Sequence, residues 1–382
     1  MSHSHVVVLG CGLVGSAIVQ DLALIEGHHV VAVDISRSNL EALPAHDRIS
    51  TVVADVLEEG KVAELATDAA LVVCAVPGFM GFETLRLILE TGKPVVDISF
   101  FPEEALDLDD LARSKGVTAV VDCGVAPGLC NIQAGWVQEK MDRVESYLCY
   151  VGGLPTVRVK PFEYRAVFSP IDVIEEYTRP ARYVEHGQLV TRAALTDIEP
   201  VNLPGVGTLE AFNTDGLRSL IHTLDAPFKK EKTLRYSGHA ELMRTFRDTG
   251  LFSEDPVSTK SGSIRPIDVT SRLLFDAWKM GSDDRDVTVM RVVMEGMESN
   301  ERVRYTFDLL DHFDEASGIH SMARTTGYTC TIVSSLLLKG EFVRPGINPP
   351  EYLGAAAGCY ESVLDGYAKR NISVNQQREK LN

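Results

Sequence analysis

The chain has 382 residues, enough for two domains with a buried core in each, and its hydrophobic and charged fractions of 45% and 24% are those of an ordinary globular protein. A formal net charge of −17 argues against a nucleic-acid surface: no basic stripe offsets it, and the densest basic stretch, Lys229-Lys230-Glu231-Lys232, carries its own acid. No apolar run approaches the roughly 20 residues that span a bilayer, and Met1 to His5 leave no room for a signal peptide, so a cytoplasmic protein without membrane attachment is expected.

Val6-Val7-Val8-Leu9 predicts a fully buried parallel strand. Gly10-Cys11-Gly12-Leu13-Val14-Gly15 follows with the G-x-G-x-x-G spacing of a strand-to-helix turn. Gly10 permits the tight turn, Gly12 lets the backbone approach a pyrophosphate, and Gly15 lets the next helix pack closely on the strand. N–H groups at Leu13 and Val14 then face the phosphates, with the helix dipole behind them. A second strand, Val30 to Val33, ends in Asp34-Ile35, and a carboxylate at that place accepts from both ribose hydroxyls of an adenosine. A ribose 2′-phosphate would be repelled there, so NAD is favoured over NADP. Arg37 is either a solvated charge, the favoured reading, or a group that recruits such a phosphate.

Further strands are expected at Ile49 to Val53, Ala70 to Val76, Val95-Val96 and Val117 to Val121. In a doubly wound sheet ligands sit beyond the carboxyl ends of the strands. This adds Asp55, Val56, Val76, Pro77, Ile98 and Ser99 to the cofactor-binding candidates, although Asp55 is also placed to cap the next helix. At Gly124-Val125-Ala126-Pro127-Gly128 the pattern changes, as at an interdomain turn. Residues 1–123 with 322–382 are expected to form the dinucleotide-binding domain, and 124–321 an inserted α+β domain for substrate and oligomerisation. Its strands are expected at Tyr147 to Val151, Thr233 to Tyr236, Val287 to Met294 and Arg302 to Leu309, in a largely antiparallel sheet with helices on one face. The helices are expected at Pro170 to Tyr177, Leu217 to Thr223 and His239 to Thr249; a last one, Thr325 to Lys339, returns to the first domain.

The chemistry-bearing clusters follow this organisation. Arg235-Tyr236-Ser237-Gly238-His239 offers a cation, a phenol and an imidazole; His239 is either a base that deprotonates an ammonium group or a helix cap. Arg324, at a helix start, either clamps a carboxylate or holds the domains together. Glu163 either pairs with a substrate ammonium group or is a surface charge, and Leu209 to Gly216 ends in a polar turn that could line a pocket. Seven scattered cysteines without C-x-x-C read as buried free thiols of a reducing compartment. No catalytic metal set is expected, and His3 and His5 read as filler of a chain end.

Several of these segments carry a resemblance. Asp122-Cys123-Gly124-Val125-Ala126-Pro127-Gly128, Tyr150 to Pro155, Glu163-Tyr164 with Val167-Phe168-Ser169, Leu209 to Phe212, Arg235 to Glu241 and Ala323 to Thr329 are similar to the saccharopine dehydrogenase-like proteins, and most to the L-lysine 6-dehydrogenases. The resemblance covers residue 6 to about 350. It implies a Rossmann domain, an inserted α+β substrate domain and a C-terminal helix returning to the first domain, and it adds Ala126 and Pro127 to the cofactor surroundings. Reductase-like members carry an Asp where this chain has Ala126, which implies a substrate less charged than a multiply charged imine adduct; Ser99 in turn resembles the reductase-like branch. The implied activity is NAD-dependent oxidation of the ε-amino carbon of L-lysine to 2-aminoadipate 6-semialdehyde, with His239 as base, Tyr236 orienting substrate, and Arg324 and Glu163 binding it. Alternatives are a saccharopine reductase-like or carboxynorspermidine-like NAD(P)-dependent condensation of an amine with a carbonyl, and a dinucleotide-binding sensor without turnover. A small amine or amino-acid partner and a homodimer or larger homo-oligomer are expected.

Overall fold

Short runs of buried β-branched residues alternate with amphipathic stretches through the first third of the chain, and the computed structural model turns each run into a strand. It describes residues 5–260, 262–281 and 283–382; His3 lies outside them. The chain begins with β1 (His5–Leu9), α1 (Leu13–Gln20), a π-helical continuation at Asp21–Ile25, β2 (His29–Asp34), α2 (Arg37–Glu41), β3 (Ile49–Val53) and α3 (Lys61–Ala66). Next come β4 (Leu71–Cys74), α4 (Gly78–Glu90), β5 (Val95–Asp97), α5 (Asp109–Ser114), β6 (Thr118–Val120) and α6 (Leu129–Gln138). The middle of the chain holds β7 (Arg143–Pro155), α7 (Pro170–Thr178), β8 (Ala181–Glu185), β9 (Gln188–Arg192), β10 (Glu199–Leu203), β11 (Gly207–Asn213), α8 (Leu220–Thr223) and β12 (Phe228–Arg235). There follow α9 (His239–Asp248), β13 (Val257–Thr259), β14 (Gly262–Ile264), α10 (Pro266–Trp278), β15 (Asp286–Glu298) and β16 (Glu301–His312). The chain closes with α11 (Ser321–Lys339), β17 (Gly346–Asn348), α12 (Pro350–Ala355), α13 (Cys359–Lys369) and β18 (Val374–Lys380).

The first unit comprises the described residues through Lys140 together with Ala323–Ser373. Its seven strands are all parallel, in the order β17-β6-β5-β4-β1-β2-β3. The strand order reverses between β1 and β4, the switch point at which doubly wound sheets bind ligands. Val7, Leu9, Val33, Val72, Cys74 and Val95 form one buried layer with Leu85, Ile88 and Leu89 of α4. The expected domain boundary at 123/124 is corrected to 140/141. The cause is α6, which packs on α12 so closely that a Cβ at Gly135 would lie 1.9 Å from the Glu351 carbonyl oxygen. Asn131 reinforces this contact by donating from Nδ2 to Glu351 Oε2 at 3.0 Å.

A buried ion pair holds the C-terminal segment in the same unit. Arg370, just beyond α13, donates from Nε to Asp21 Oδ1 at 2.8 Å and from Nη2 to Asp21 Oδ2 at 2.6 Å, and it reaches Glu26 Oε1 at 2.8 Å. Thr331 of α11 donates a further hydrogen bond to Asp21.

The second unit comprises Met141–Met322 and Val374–Asn382. Its nine-stranded sheet runs β10-β11-β12-β7-β15-β16-β18, with β8 beside β12 and β9 beside β8. The sheet is largely antiparallel, as expected, with one parallel pair: β12 runs beside β7, Lys232 opposite Tyr150. Residues 374–382, expected in the first domain, belong here because β18 pairs with β16, Gln377 opposite Thr306. The helices α7, α9 and α10 enclose an aromatic core of Tyr164, Tyr177, Phe212 and Trp278. Sequence periodicity missed β8 to β11, β13, β14, β17, β18, α10, α12 and α13; most of these strands are short or exposed, so they carry little apolar alternation.

Removing one partner of a buried pair strands the other charge. Arg370→Ala is therefore expected to lose about 3–5 kcal/mol in urea unfolding. An Asp21→Asn, Arg370→Met double variant, which leaves no charge at the fully buried position 21 and only the half-buried Glu26 without its partner, is expected to lose less; equal losses would show that the pair is not the anchor.

Candidate dinucleotide site and its surroundings

Within the first unit, the cofactor-binding candidates all follow carboxyl ends of strands: Gly10 to Gly15 after β1, Asp34 and Ile35 at β2, Asp55 and Val56 after β3, Val76 and Pro77 after β4, Ile98 and Ser99 after β5, Ala126 and Pro127 after β6. Gly10 has a left-handed φ of 93°, which favours glycine. A Cβ at Gly15 would lie 2.0 Å from the Gly10 carbonyl oxygen, so this position admits no side chain. Above Gly12, by contrast, a Cβ would meet nothing within 4 Å. α1 starts there without a side-chain cap. Open space over the turn, an uncapped helix start and an acid ending β2 are together what a dinucleotide's phosphates and adenosine ribose require.

Asp34 is also part of the turn's own architecture. Its Oδ2 accepts from the Cys11 backbone N–H at 2.7 Å and from Asn39 Nδ2 at 3.3 Å, and its Oδ1 accepts from the Ser36 N–H at 2.7 Å. The carboxylate thus ties the glycine turn to the start of α2 while remaining half-buried beside the exposed Ile35. Arg37 is exposed at the first position of α2. Asp55 closes the turn after β3, its Oδ1 accepting from the Leu57 N–H at 2.9 Å; it does not cap the next helix, since α3 starts from Gly60.

The four catalytic candidates fare differently. Arg324 lies in the first unit, while His239, Tyr236 and Glu163 lie in the second. His239 is 3% exposed; its Nδ1 donates to the Phe162 carbonyl at 2.9 Å, which leaves Nε2 to accept from the Tyr177 hydroxyl at 2.8 Å. Burial, aided by the nearby Arg235 guanidinium, pushes its pKa down to about 3. The expectation of a base is corrected: His239 is a neutral core residue with both nitrogens engaged. Arg235, which ends β12, pairs with Glu176 at 2.7 Å and lies over the Tyr164 ring at 4.7 Å, so the cation of that cluster is internal as well.

Tyr236 donates its hydroxyl to the Pro155 carbonyl at 2.9 Å. Glu163 accepts from the Arg158 guanidinium, which also lies 4.7 Å over the Tyr236 ring. The structure thus brings Glu163 and Tyr236 together around Arg158, as a braced surface cluster rather than as a free acid and phenol. Arg324 is buried and donates to the Arg370 carbonyl at 3.0 Å, joining α11 to the end of α13 within the first unit instead of standing free as a carboxylate clamp. In the Leu209 to Gly216 segment, Glu210 caps α9 by accepting from the Gly238 and Ala240 N–H groups at 2.9 and 2.6 Å. The seven cysteines are free and buried. Among the described residues no helix is long and apolar enough to cross a membrane.

One group that sequence reasoning did not single out stands at the carboxyl end of β5. Asp97 is fully buried, accepts from the Ser99 hydroxyl at 2.6 Å through Oδ2, and has no hydrogen-bond partner at Oδ1. Burial pushes its pKa up to about 7, with the neighbouring Asp122 acting in the same direction. An acid closing an otherwise apolar strand was the available signal.

Residues 6–120 match the model of the saccharopine dehydrogenase NADP binding domain and residues 124–372 that of the saccharopine dehydrogenase C-terminal domain. The mitochondrial alpha-aminoadipic semialdehyde synthase of Mus musculus is 23% identical over 97% of this chain and 47% of its own length, so the chain spans about half of that relative. The saccharopine dehydrogenase [NADP(+), L-glutamate-forming] of Schizosaccharomyces pombe is 20% identical over 97% of this chain and 98% of its own. The apo saccharopine dehydrogenase (L-Glu forming) of Saccharomyces cerevisiae superposes with a TM-score of 0.79 at 18% identity, covering 98% of this chain and 100% of that one, a likeness of fold. With both halves of the chain matched in order and the glycine turn, the parallel sheet and the mixed second sheet all in place, the protein belongs to the saccharopine dehydrogenase family of oxidoreductases.

Proposed function

We propose that the protein is a nicotinamide-dinucleotide-dependent amine dehydrogenase that oxidises the ε-amino carbon of L-lysine to 2-aminoadipate 6-semialdehyde. The carrying observation is the glycine turn with open space over Gly12, combined with Ala126 in the turn after β6. Ala126 supplies no carboxylate to help hold a substrate, which favours a small amine over a bulky, multiply charged adduct. The bound dinucleotide supplies the hydride acceptor. The chain's contribution is to hold it: backbone N–H groups at Leu13 and Val14 on the pyrophosphate, and Asp34 at the adenosine ribose. The substrate loses a hydride from its ε-carbon and a proton from its nitrogen; water then replaces the imine nitrogen, releasing ammonium and the aldehyde.

A second reading has a specific support: the S. pombe and S. cerevisiae relatives are named for saccharopine, whose reacting nitrogen is a secondary amine. NADH or NADPH formation at 340 nm over lysine, ornithine, spermidine and saccharopine separates the two. The expected outcome is the highest kcat/KM with lysine; a preference for saccharopine overturns the lysine reading.

Asp34 supports NAD over NADP, because its charge repels a ribose 2′-phosphate. The family model and the S. pombe relative are both named for NADP, and Arg37 is the group able to take that phosphate. Asp34→Ala is expected to lower the preference for NAD over NADP by at least tenfold, about 1.4 kcal/mol of differential binding. An unchanged ratio would remove Asp34 as the discriminator.

His239→Gln is expected to keep the wild-type pH profile of kcat/KM and to lose thermal stability, since its hydrogen bonds to Tyr177 and Phe162 are internal. Loss of a single limb of the profile would restore the imidazole as a base.

A further inference from the structure

Asp97 is buried at the one edge of the sheet where a ligand must rest. If Asp34 on β2 takes the adenosine, as proposed above, the other mononucleotide lies over the half of the sheet made by β4, β5 and β6. Ser99 stands in that half, two residues beyond Asp97, and is 3% exposed. It is clamped from the other side by α4, where a Cβ at Gly81 would fall 2.4 Å from Ser99 Oγ. The segment has no slack: the Ile98 N–H donates to the Cys74 carbonyl and the Cys123 N–H to the Asp97 carbonyl, both at 2.9 Å. A hydroxyl held this way has few choices for its single hydrogen.

We propose that Asp97 is a positioning residue that sets the role of Ser99 toward a bound dinucleotide: the carboxylate holds the Ser99 hydrogen on Oδ2, and the acid, donating to Ser99 Oγ instead, releases that hydrogen to the ligand. Geometry makes the exchange possible, because the 2.6 Å contact serves a proton on either oxygen; the Cys74 thiol, which also hydrogen-bonds to Asp97, lies 3.9 Å from Ser99 Oγ. The groups facing Asp97 are Cys74 of β4, Asp122 and Cys123 after β6, and Cys330 of α11. None is a cation. Burial raises the thiols of Cys74, Cys123 and Cys330, so that they stay neutral while Asp97 titrates near neutrality. The nicotinamide end of the dinucleotide offers a carboxamide oxygen, an acceptor that the released hydrogen suits.

The test is the dissociation constant of the full-length protein for NADH and for NADPH, by nucleotide fluorescence, between pH 5.5 and 8.5. The wild type is expected to bind about tenfold more weakly above an inflection near pH 7 than below it, the worth of one hydrogen bond. Asp97→Asn is expected to bind tightly throughout, its amide donating to Ser99 as the acid does. Ser99→Ala is expected to bind weakly throughout. A merely structural Asp97 does not give these two opposite plateaus. A flat wild-type profile, or an inflection that survives in Ser99→Ala, overturns the proposal; Ser99→Ala decides the matter even if Asp97→Asn folds poorly.

Melting temperature offers a second readout. The folded-state pKa of Asp97 is raised, so its contribution is present at acid pH and is lost as pH rises toward about 7. Asp97→Asn is therefore expected to gain on the wild type between pH 5 and 8. The inference rests on the proposed dinucleotide chemistry, yet the two fail separately: an inflected binding curve without amine oxidation overturns the lysine reading alone, and amine oxidation with a flat binding curve overturns the Ser99 role alone.

Discussion

Asp21 and Arg370 stand 349 residues apart and share a buried, doubly hydrogen-bonded ion pair. The first unit depends on it, because that unit is built from two separated stretches of chain with no covalent link except through the second unit. Such a pair costs desolvation and adds little net stability; its value lies in register. Only one docking of α13 puts the guanidinium between Asp21 and Glu26, and that docking also lets Thr331 reach Asp21 and Arg324 reach the Arg370 carbonyl. Asp21 opens the π-helical turn that continues α1, so the helix rising from the glycine turn and the chain's return are joined at one point.

The dinucleotide site follows from the sheet beneath it. Parallel strands point their carboxyl ends the same way, so every turn leaving them collects on one edge. Backbone N–H groups at that edge need acceptors, and Asp34 serves the Cys11 and Ser36 N–H groups before any ligand does. The same carboxylate therefore shapes the turn and faces the adenosine. Asp97 occupies the corresponding place on β5, but without a cation or a backbone N–H at its second oxygen it sits near its point of titration.

The second unit shows how completely tertiary packing can reassign polar residues. Arg235 and His239 read as a reactive cluster along the chain, yet both turn into the aromatic core, where Glu176 neutralises one and Tyr177 and the Phe162 carbonyl satisfy the other. These two groups are satisfied by neighbours brought from α7 and from the segment after β7, which leaves a neutral imidazole and an internal guanidinium.

The strand–turn–helix at Gly10 to Gly15, the acid at Asp34 and the strands β1 to β6 were legible along the chain because their requirements are local: glycine where a Cβ collides, β-branched residues where a strand is buried on both faces, an acid where a strand ends. β17 and β18 were not legible. The first is three residues long and the second nearly all exposed, so neither carries a period; pairing with β6 and β16 makes them strands. The fate of His239 was likewise out of reach, because an imidazole's protonation depends on burial and on Tyr177, a partner 62 residues away. Sequence determines which groups are present and where the chain turns; which of those groups keep their water, and so their charge, is decided only when distant segments pack around them.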